Sequence, residues 1–280
     1  MYTFRPVAVD EAGISQCAAL LKIVFPQTDI LNEAYLKWEY ADNPEGNIVG
    51  FNAFEGDEIA AHYVTQPVVA NLFGKKTKGL LSLNTATHPN HQGKKLFTTL
   101  ADMTYKFAAE NVYEFVFGVA NANSTPGFLN KLGFQHVAPL QAKVGVGKIK
   151  LSSTEMQYGF ERLWTTELLE WRLKNPFHHY EISGNNIFAP SGKYGIKAFM
   201  GDFQTDLISR FNSHRISSLN PMKLWMGIDP AINWKSSLYY DIPQKMRPSP
   251  LNLIFKDLTG SNRTINANAV KFRAIDFDAY

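Results

Sequence analysis

Apolar and polar positions along the first half of the chain change period several times, and each change marks an element. Tyr2 to Val9 reads as a strand. Asp10 stands as a helix N-cap ahead of Glu11, and Ile14, Cys17, Ala18, Leu21 and Val24 recur at helical spacing up to Pro26. A short aromatic helix is predicted over Glu33 to Tyr40, broken by Asp42-Asn43-Pro44-Glu45-Gly46. Asn47 to Glu55 and Glu58 to Val69 flank the turn Gly56-Asp57 and read as a hairpin. Lys75, Lys76 and Lys78 fall in the next turn, before a strand from Gly79 to Thr87. Phe97 to Asn111 is strongly periodic and helical, Glu114 to Ala120 is an apolar strand, and Thr125 to Leu132 is a helix ending at Gly133. Phe134 to Val146 leads away as one strand.

This order, β-α-α-β-β-β-α-β-α-β, calls for a mixed α/β (α+β) fold with helices on the faces of a central sheet. From about Lys148 the pattern starts again. A helix is predicted over Thr165 to Leu173, and strands over 180–183, 186–189 and 196–203. A helix near Asp206 to Ser213 follows, then strands over 222–228, 251–258 and 270–277. Leu36-Lys37-Trp38-Glu39 before Asn43-Pro44 is echoed by Leu169-Glu170-Trp171-Arg172 before Asn175-Pro176, with spacing different by one. The echo fits two domains, 1–147 and 148–280, the second a decayed copy of the first; chance is the competing reading.

The chain has 280 residues, 45% of them hydrophobic, enough for two compact cores. A formal charge of +3 is too small for a nucleic-acid coating and suits a small anionic ligand, or solubility alone. The single cysteine, Cys17, excludes an intrachain disulfide and a Cys-based metal site, and its helical setting suggests a buried thiol. No run approaches the ~18 apolar residues of a membrane span, and no signal-peptide pattern opens the chain, so a cytoplasmic location is expected.

The richest segment runs from Leu81 to Leu100: a strand, the loop His88-Pro89-Asn90-His91-Gln92-Gly93-Lys94-Lys95, then a helix. Unpaired N–H groups at a helix start, aided by the helix dipole, make a site for a pyrophosphate. Gly93 would let the backbone approach that anion closely. A surface helix start rich in lysine is the plainer reading.

Here the sequence resembles the GNAT acyltransferases, over roughly residues 1–145. Their signature Arg/Gln-x-x-Gly-x-Gly/Ala opens a helix after a strand. Gln92 matches its first position and Thr87-His88-Pro89 the preceding turn, while Lys95 and Phe97 replace its small residues. Lys95 is expected to keep a negative φ or be strained. The stretch Asn121-Ala122-Asn123-Ser124, followed by Phe128-Leu129-Asn130-Lys131-Leu132-Gly133-Phe134, is similar to the family's second landmark. The resemblance implies acyl-coenzyme A as cosubstrate, no permanent cofactor and no metal. It implies coenzyme contacts from Ala86, Thr87, Gln92, Gly93, Lys94, Lys95, Leu96 and Phe97, with Asn123 and Ser124 on the pantetheine arm or sulfur. It also implies direct attack by an amine, with backbone N–H groups near Ala86 and Thr87 holding the thioester oxygen.

A base must take a proton from the attacking ammonium. His62, opposite Ile59 and Ala61 on its strand, is a candidate, and a histidine satisfied within the sheet is the equal alternative. Asn84 stands where the family often has an acid, so it is expected to hold the amine or a relay water. The family's general acid, a Tyr four residues before the landmark Gly, is replaced by Leu129.

The motifs around Tyr35–Gly46, Thr85–Pro89 and Asn121–Ser124 are similar to GNAT proteins of bacterial surface-polysaccharide pathways. That group acts on nucleotide-linked amino sugars, including dTDP-3-amino-3,6-dideoxyhexoses, with acetyl or 3-hydroxybutanoyl donors. Trp38, Tyr40, Asn121 and Trp171 are then candidates for the acceptor side, the rings being equally at home in a core. Other amines (a peptide, an aminoglycoside, a cell-wall precursor) and a coenzyme-binding module without catalysis remain the alternatives.

Overall fold

The first half follows the predicted order. β1 (Thr3–Pro6) precedes α1 (Glu11–Val24), which starts where the Asp10 carboxylate accepts from Gly13 N–H at 2.8 Å. α2 (Glu33–Tyr40) is capped in the same way by Asn32. β2 (Val49–Glu55), β3 (Glu58–Leu72) and β4 (Lys75–Thr87) form a meander. The three lysines lie on β4 itself. The turn before it is Phe73-Gly74, both at positive φ, the geometry that suits a tight hairpin. α3 (Leu96–Glu110), β5 (Phe115–Ala120) and α4 (Thr125–Leu132) follow, and Gly133 ends α4 in the left-handed region at φ 67°.

The stretch after Phe134 is two strands, β6 (Gln135–Pro139) and β7 (Gln141–Val146). Leu140 divides them. Its side chain is buried in the central core, and its N–H turns to Leu251 C=O at 2.8 Å. The chain therefore crosses there from one part of the sheet to another.

The computed structural model describes every residue except 153–155, 192–194, 213–215, 217–219, 248 and 278–280, and the side chain at 244. The second half contains β8 (Phe160–Arg162), α5 (Thr166–Leu173), β9 (Glu181–Ser183), β10 (Asn186–Pro190) and β11 (Lys197–Asp202). It continues with α6 (Thr205–Ile208), β12 (Lys223–Ile228), β13 (Leu238–Asp241), β14 (Asn252–Asp257) and β15 (Val270–Arg273). The helix expected over 206–213 is the single turn α6, and Ser213 lies outside the described residues. The strand expected over 270–277 stops at Arg273, because Asp276 folds back to accept the Arg273 N–H at 2.7 Å. β8 and β13, each only a few residues long, were not expected.

Among the described residues one 15-stranded mixed sheet runs through both halves. In the first half the order is β2-β3-β4-β5-β14-β6, and in the second β9-β10-β11-β12-β7-β13. Each series contains one parallel pair, β4 with β5 and β11 with β12. In each, the strand beside that pair comes from the other half: β14 lies between β5 and β6, and β7 between β12 and β13.

The sequence echo has a structural counterpart. Trp38 on α2 and Trp171 on α5 stack at 4.6 Å, nearly parallel. Each indole N–H donates to the other's backbone carbonyl at 2.9 Å. Asn43 and Asn175, following these helices, each accept an N–H two residues on, from Glu45 and Phe177. Beside the stack, buried Arg162 pairs with Glu45, and Asp276 accepts from the Trp164 indole and bonds Arg273. A desolvated network of this kind holds only with its partners in place.

A fragment of residues 1–147 lacks β14 and leaves β5 and β6 unpaired on facing edges. Expressed alone it is expected to aggregate or to melt without a cooperative transition. Co-expression with 148–280 is expected to restore a soluble complex, read by gel filtration and thermal melts. Two soluble, independently melting fragments would contradict this.

Candidate active site

The site begins with a defect in the β3–β4 ladder. Val64 pairs with Leu83 and His62 with Ala86, so Asn84 and Thr85 together face Tyr63. This is a β-bulge, and Asn84 absorbs it at φ 44°, a conformation that asparagine tolerates better than most residues. β4 pairs with β5 only over Leu80–Ser82. Beyond Ser82 no ladder joins β4 to β5, which leaves an opening. His88 N–H bonds Ala60 C=O at 2.9 Å, so strand alternation turns Thr87 N–H the other way, into the opening. Ala86, paired with His62, keeps the β3 side, which leaves Thr87 as the outward-facing donor of the two expected.

After the opening the chain makes one 3-10 turn, Pro89–His91, in which His88 Nδ1 accepts from Asn90 N–H. Gly93 lies at φ 76° and Lys95 at φ 60°, immediately before α3. Lys95 thus adopts the conformation the signature glycine would take, the strained one of the two alternatives expected for it. Its side chain makes no capping bond, so the first turn of α3 is left without a side-chain acceptor. A cavity of about 200 Å³ lies here, lined by Thr87, His91, residues 92–98 and Lys131. Gln92, Gly93, Lys94 and Lys95 are its exposed rim. Leu96 is buried, and Phe97 packs edge-on to Phe128 and Tyr63, so these two anchor the loop from below. Lys94 Nζ is 2.9 Å from Tyr2 Oη, which in turn bonds His91 Nδ1.

On the α1–α2 face of β3 and β4 a chain of buried polar groups reaches the bulge. Asn52 Nδ2 donates to Cys17 Sγ, which turns Asn52 Oδ1 toward His62 Nδ1 at 2.6 Å. His62 therefore carries its proton on Nδ1, and Nε2 accepts the Tyr40 hydroxyl proton at 2.9 Å. Tyr40 oxygen then accepts from Asn84 Nδ2 at 3.2 Å, and Asn84 Nδ2 also donates to Glu39 Oε2 at 2.5 Å. Burial lowers the His62 pKa to about 3. With both nitrogens engaged and 1% exposure, His62 orients Tyr40 and cannot receive a proton from an amine in the opening. This corrects its candidacy as base.

Glu39 was missed in the sequence. It is 2% exposed, and burial raises its pKa to about 7, against the opposing pull of Arg172 and the Asn84 hydrogen bond. The available signal was a carboxylate placed between Trp38 and Tyr40, on the side of the helix where Tyr35 and Leu36 also read as core.

Residues 5–137 match the family model described as the acetyltransferase (GNAT) domain. They are a GNAT acetyltransferase domain. No curated protein sequence matches the chain. Among solved structures, a GCN5-related N-acetyltransferase from Kribbella flavida is similar at TM-score 0.59 and 10% identity, over 92% of this chain and 72% of that one. One from Anabaena variabilis is similar at 0.53 and 12%, over 91% and 73%. A conserved protein of unknown function from Enterococcus faecalis is similar at 0.59 and 8%, over 92% and 73%. At these identities the likeness is one of fold, and it extends past the GNAT domain into the β-rich C-terminal region.

Within the GNAT domain the second landmark is a capped turn. Asn121 Oδ1 accepts the N–H groups of Asn123 and Ser124, each at 3.0 Å, and Ser124 Oγ returns to Asn121. Asn121 Oδ1 is thereby used in the turn that leads into α4, while the residue itself is exposed. Asn123 is exposed at the same corner. Leu129 is half-buried against the core under α3. Trp38 and Trp171 are each 6% exposed and cover each other's faces, with the Arg172 guanidinium over both rings. They form core, and Tyr40 is sealed beneath the bulge, so none of the three presents a platform to an acceptor. Among the described residues no group of His, Cys, Asp and Glu is arranged to hold a metal, and no helix is long and apolar enough to cross a membrane.

Two outcomes follow. Lys95→Gly removes a left-handed non-glycine residue and is expected to raise stability by about 1 kcal/mol, measured by denaturant unfolding. The lowered His62 pKa makes the folded state bind fewer protons than the unfolded chain below about pH 6.5. Its stabilisation is therefore lost as pH falls from 6.5 toward 3. Glu39, with a raised pKa, has the opposite slope between 4.5 and 7. His62→Gln is expected to remove the first slope, changing the parent-to-variant difference by about 1.4 kcal/mol per pH unit below 6.5.

Proposed function

We propose that the protein is an N-acyltransferase that moves an acyl group from acyl-coenzyme A to an amine by direct attack, in the cytoplasm. The observation that carries this reading is the opening between β4 and β5 placed beside the uncapped start of α3. A pyrophosphate fits the N–H groups at the start of α3 and the rim lysines Lys94 and Lys95. The pantetheine arm then runs past Asn123 and Ser124 into the opening, where Thr87 N–H meets the thioester oxygen. The amine attacks the carbonyl carbon, the C–S bond breaks, and coenzyme A leaves as a thiolate. Its pKa near ~8.5 makes it a tolerable leaving group without a general acid, which accommodates Leu129.

We take the acceptor to be the amino group of a nucleotide-linked amino sugar destined for a surface polysaccharide, with an acetyl or 3-hydroxybutanoyl donor. The motif resemblance supplies this class. Residues 148–280, read as a decayed second GNAT-like domain, would build its binding side. Two features support that reading: the matching strand order of the halves and a cavity of about 190 Å³ in the second half. Phe188, Phe199, Trp225 and Tyr239 line that cavity together with Lys148, Lys223 and the carboxylates Asp202 and Asp229, a lining that offers a planar group rings to pack on and charges of both signs.

Thiol release from acetyl-coenzyme A is the test, with dTDP-3-amino-3,6-dideoxyhexoses, aminoglycosides and peptides as acceptors, alongside calorimetry with coenzyme A. Release with the nucleotide sugar is expected. Release only with another amine would move the acceptor class. Coenzyme binding without release from any amine would leave a binding module, and absence of binding would overturn the reading.

A further inference from the structure

We propose that Glu39 is the residue that positions Asn84 for the acceptor amine, so that the amide oxygen of Asn84 faces the β4–β5 opening only while Glu39 is ionised. The proposal deepens the acyl-transfer reading and rests on it for the identity of the amine.

The hydrogen-bond directions support it. An ionised carboxylate only accepts, so the group of Asn84 facing Glu39 Oε2 must be its NH2. The second proton of that NH2 goes to Tyr40 oxygen. Tyr40 accepts it because its own proton is committed to His62 Nε2, and His62 is held in that tautomer by Asn52. Both amide protons of Asn84 are therefore used on the α2 side. Its Oδ1 has no protein partner among the described residues and is not sealed from solvent. It remains an acceptor beside the place where β4 leaves β5. A primary amine bonded there through one N–H keeps its lone pair for the thioester carbon, and the proton it sheds passes to water.

Protonation of Glu39 changes the arrangement. A neutral carboxyl carries a donor, and the best acceptor within its reach is Asn84 Oδ1 once the amide turns over. The amide then presents N–H groups to the opening, which engage the lone pair of the amine that the thioester carbon needs. Among the described residues, the titratable groups around Glu39 are Arg172 on α5 and Tyr40 on its own helix, with His62 on β3 and Cys17 on α1 behind Tyr40. Tyr40 and Cys17 are held neutral by burial, and His62 is neutral above pH 3. Arg172 is the opposing cation, and its guanidinium lies over the Trp38–Trp171 stack. Burial lifts the Glu39 pKa, and Arg172, from the second half of the chain, opposes that rise and favours the ionised form that directs Asn84.

The test has two readouts. In protein labelled with nitrogen-15, the Asn84 side-chain NH2 resonance is assigned by its loss in Asn84→Asp. It is then followed from about pH 5.5 to 8.5 in the parent and in Glu39→Gln. The expected result is a titration with a midpoint near 7 in the parent and none in the variant. A resonance that does not titrate in the parent overturns the proposal whether or not an acceptor is known. The second readout is the pH profile of thiol release with an amine the parent accepts. An ascending limb near pH 7 is expected in the parent. In Glu39→Gln the limb disappears, kcat falls about tenfold to a hundredfold, and coenzyme A binding is unchanged. An active variant that keeps the limb overturns the positioning role. A parent inactive on every amine defeats the acyl-transfer reading instead, and the resonance titration still decides the role of Glu39.

Discussion

Backbone hydrogen bonding at two strands governs this architecture. β5 and β12 each lie at the inner edge of a parallel pair and need a partner on their outer side. β14 supplies it for β5 and β7 for β12, each from the opposite half of the chain. The exchange makes the two series of strands one sheet. It also presses α2 against α5, so that Trp38 and Trp171 bury each other's faces and answer each other's indole N–H groups. The buried pairs of Arg162 with Glu45 and of Arg273 with Asp276 sit in the same junction, where water cannot compensate a missing partner.

The two halves then diverge at the point that matters for chemistry. In the first, β4 leaves β5 after Ser82, and among the described residues no strand takes the vacated side. In the second, β11 pairs with β12 only over 197–199 with 223–225, and the next residues of β12 pair with β15. The turn Ala274–Asp276 packs behind it, its Ile275 buried in the core of that half. A gap that is open in one half is occupied by the chain's own C-terminal segment in the other. The bulge at Asn84 and the left-handed pair Gly93 and Lys95 bring the open gap and the start of α3 together. Lys95 shows how strong the constraint is, since it holds a glycine conformation with a Cβ and a charge.

Behind the opening lies a polar chain from Cys17 to Asn84 that is almost entirely removed from water. In such surroundings each proton has one good place, and the whole series takes a single direction. That explains why a histidine at the heart of the domain is a poor base. Burial without a charged partner pushes His62 far below its ordinary range, while the same burial lifts Glu39 toward neutrality.

Much of the first half was legible in the chain itself. Asp10 and Asn32 as caps, Gly133 as a left-handed stop and the loop before α3 are local features, decided by residues within one turn of each other. Cys17 as a buried thiol and the echo of the Trp38 and Trp171 segments were legible for the same reason. The misreadings of Trp38, Trp171, His62, Leu140 and Glu39 concern distant partners. Trp38 and Trp171 looked like platforms because a flat ring is the same residue in a core or a cleft; 133 residues separate the pair that closes the stack. His62 looked like a base because its lost hydration and its bonds to Tyr40 and Asn52 belong to three different elements. Leu140 looked like mid-strand because its carbonyl partner, Leu251, lies in the other half. Glu39 was invisible for that reason too: its ionisation depends on burial, on Arg172 of α5 and on an asparagine 45 residues away. Period, caps and turns are properties of neighbours along the chain, so the sequence determined most of the elements and the loop before α3. Desolvation and strand exchange are properties of neighbours in space, so only the tertiary structure decided which polar side chains face the opening and in which protonation state.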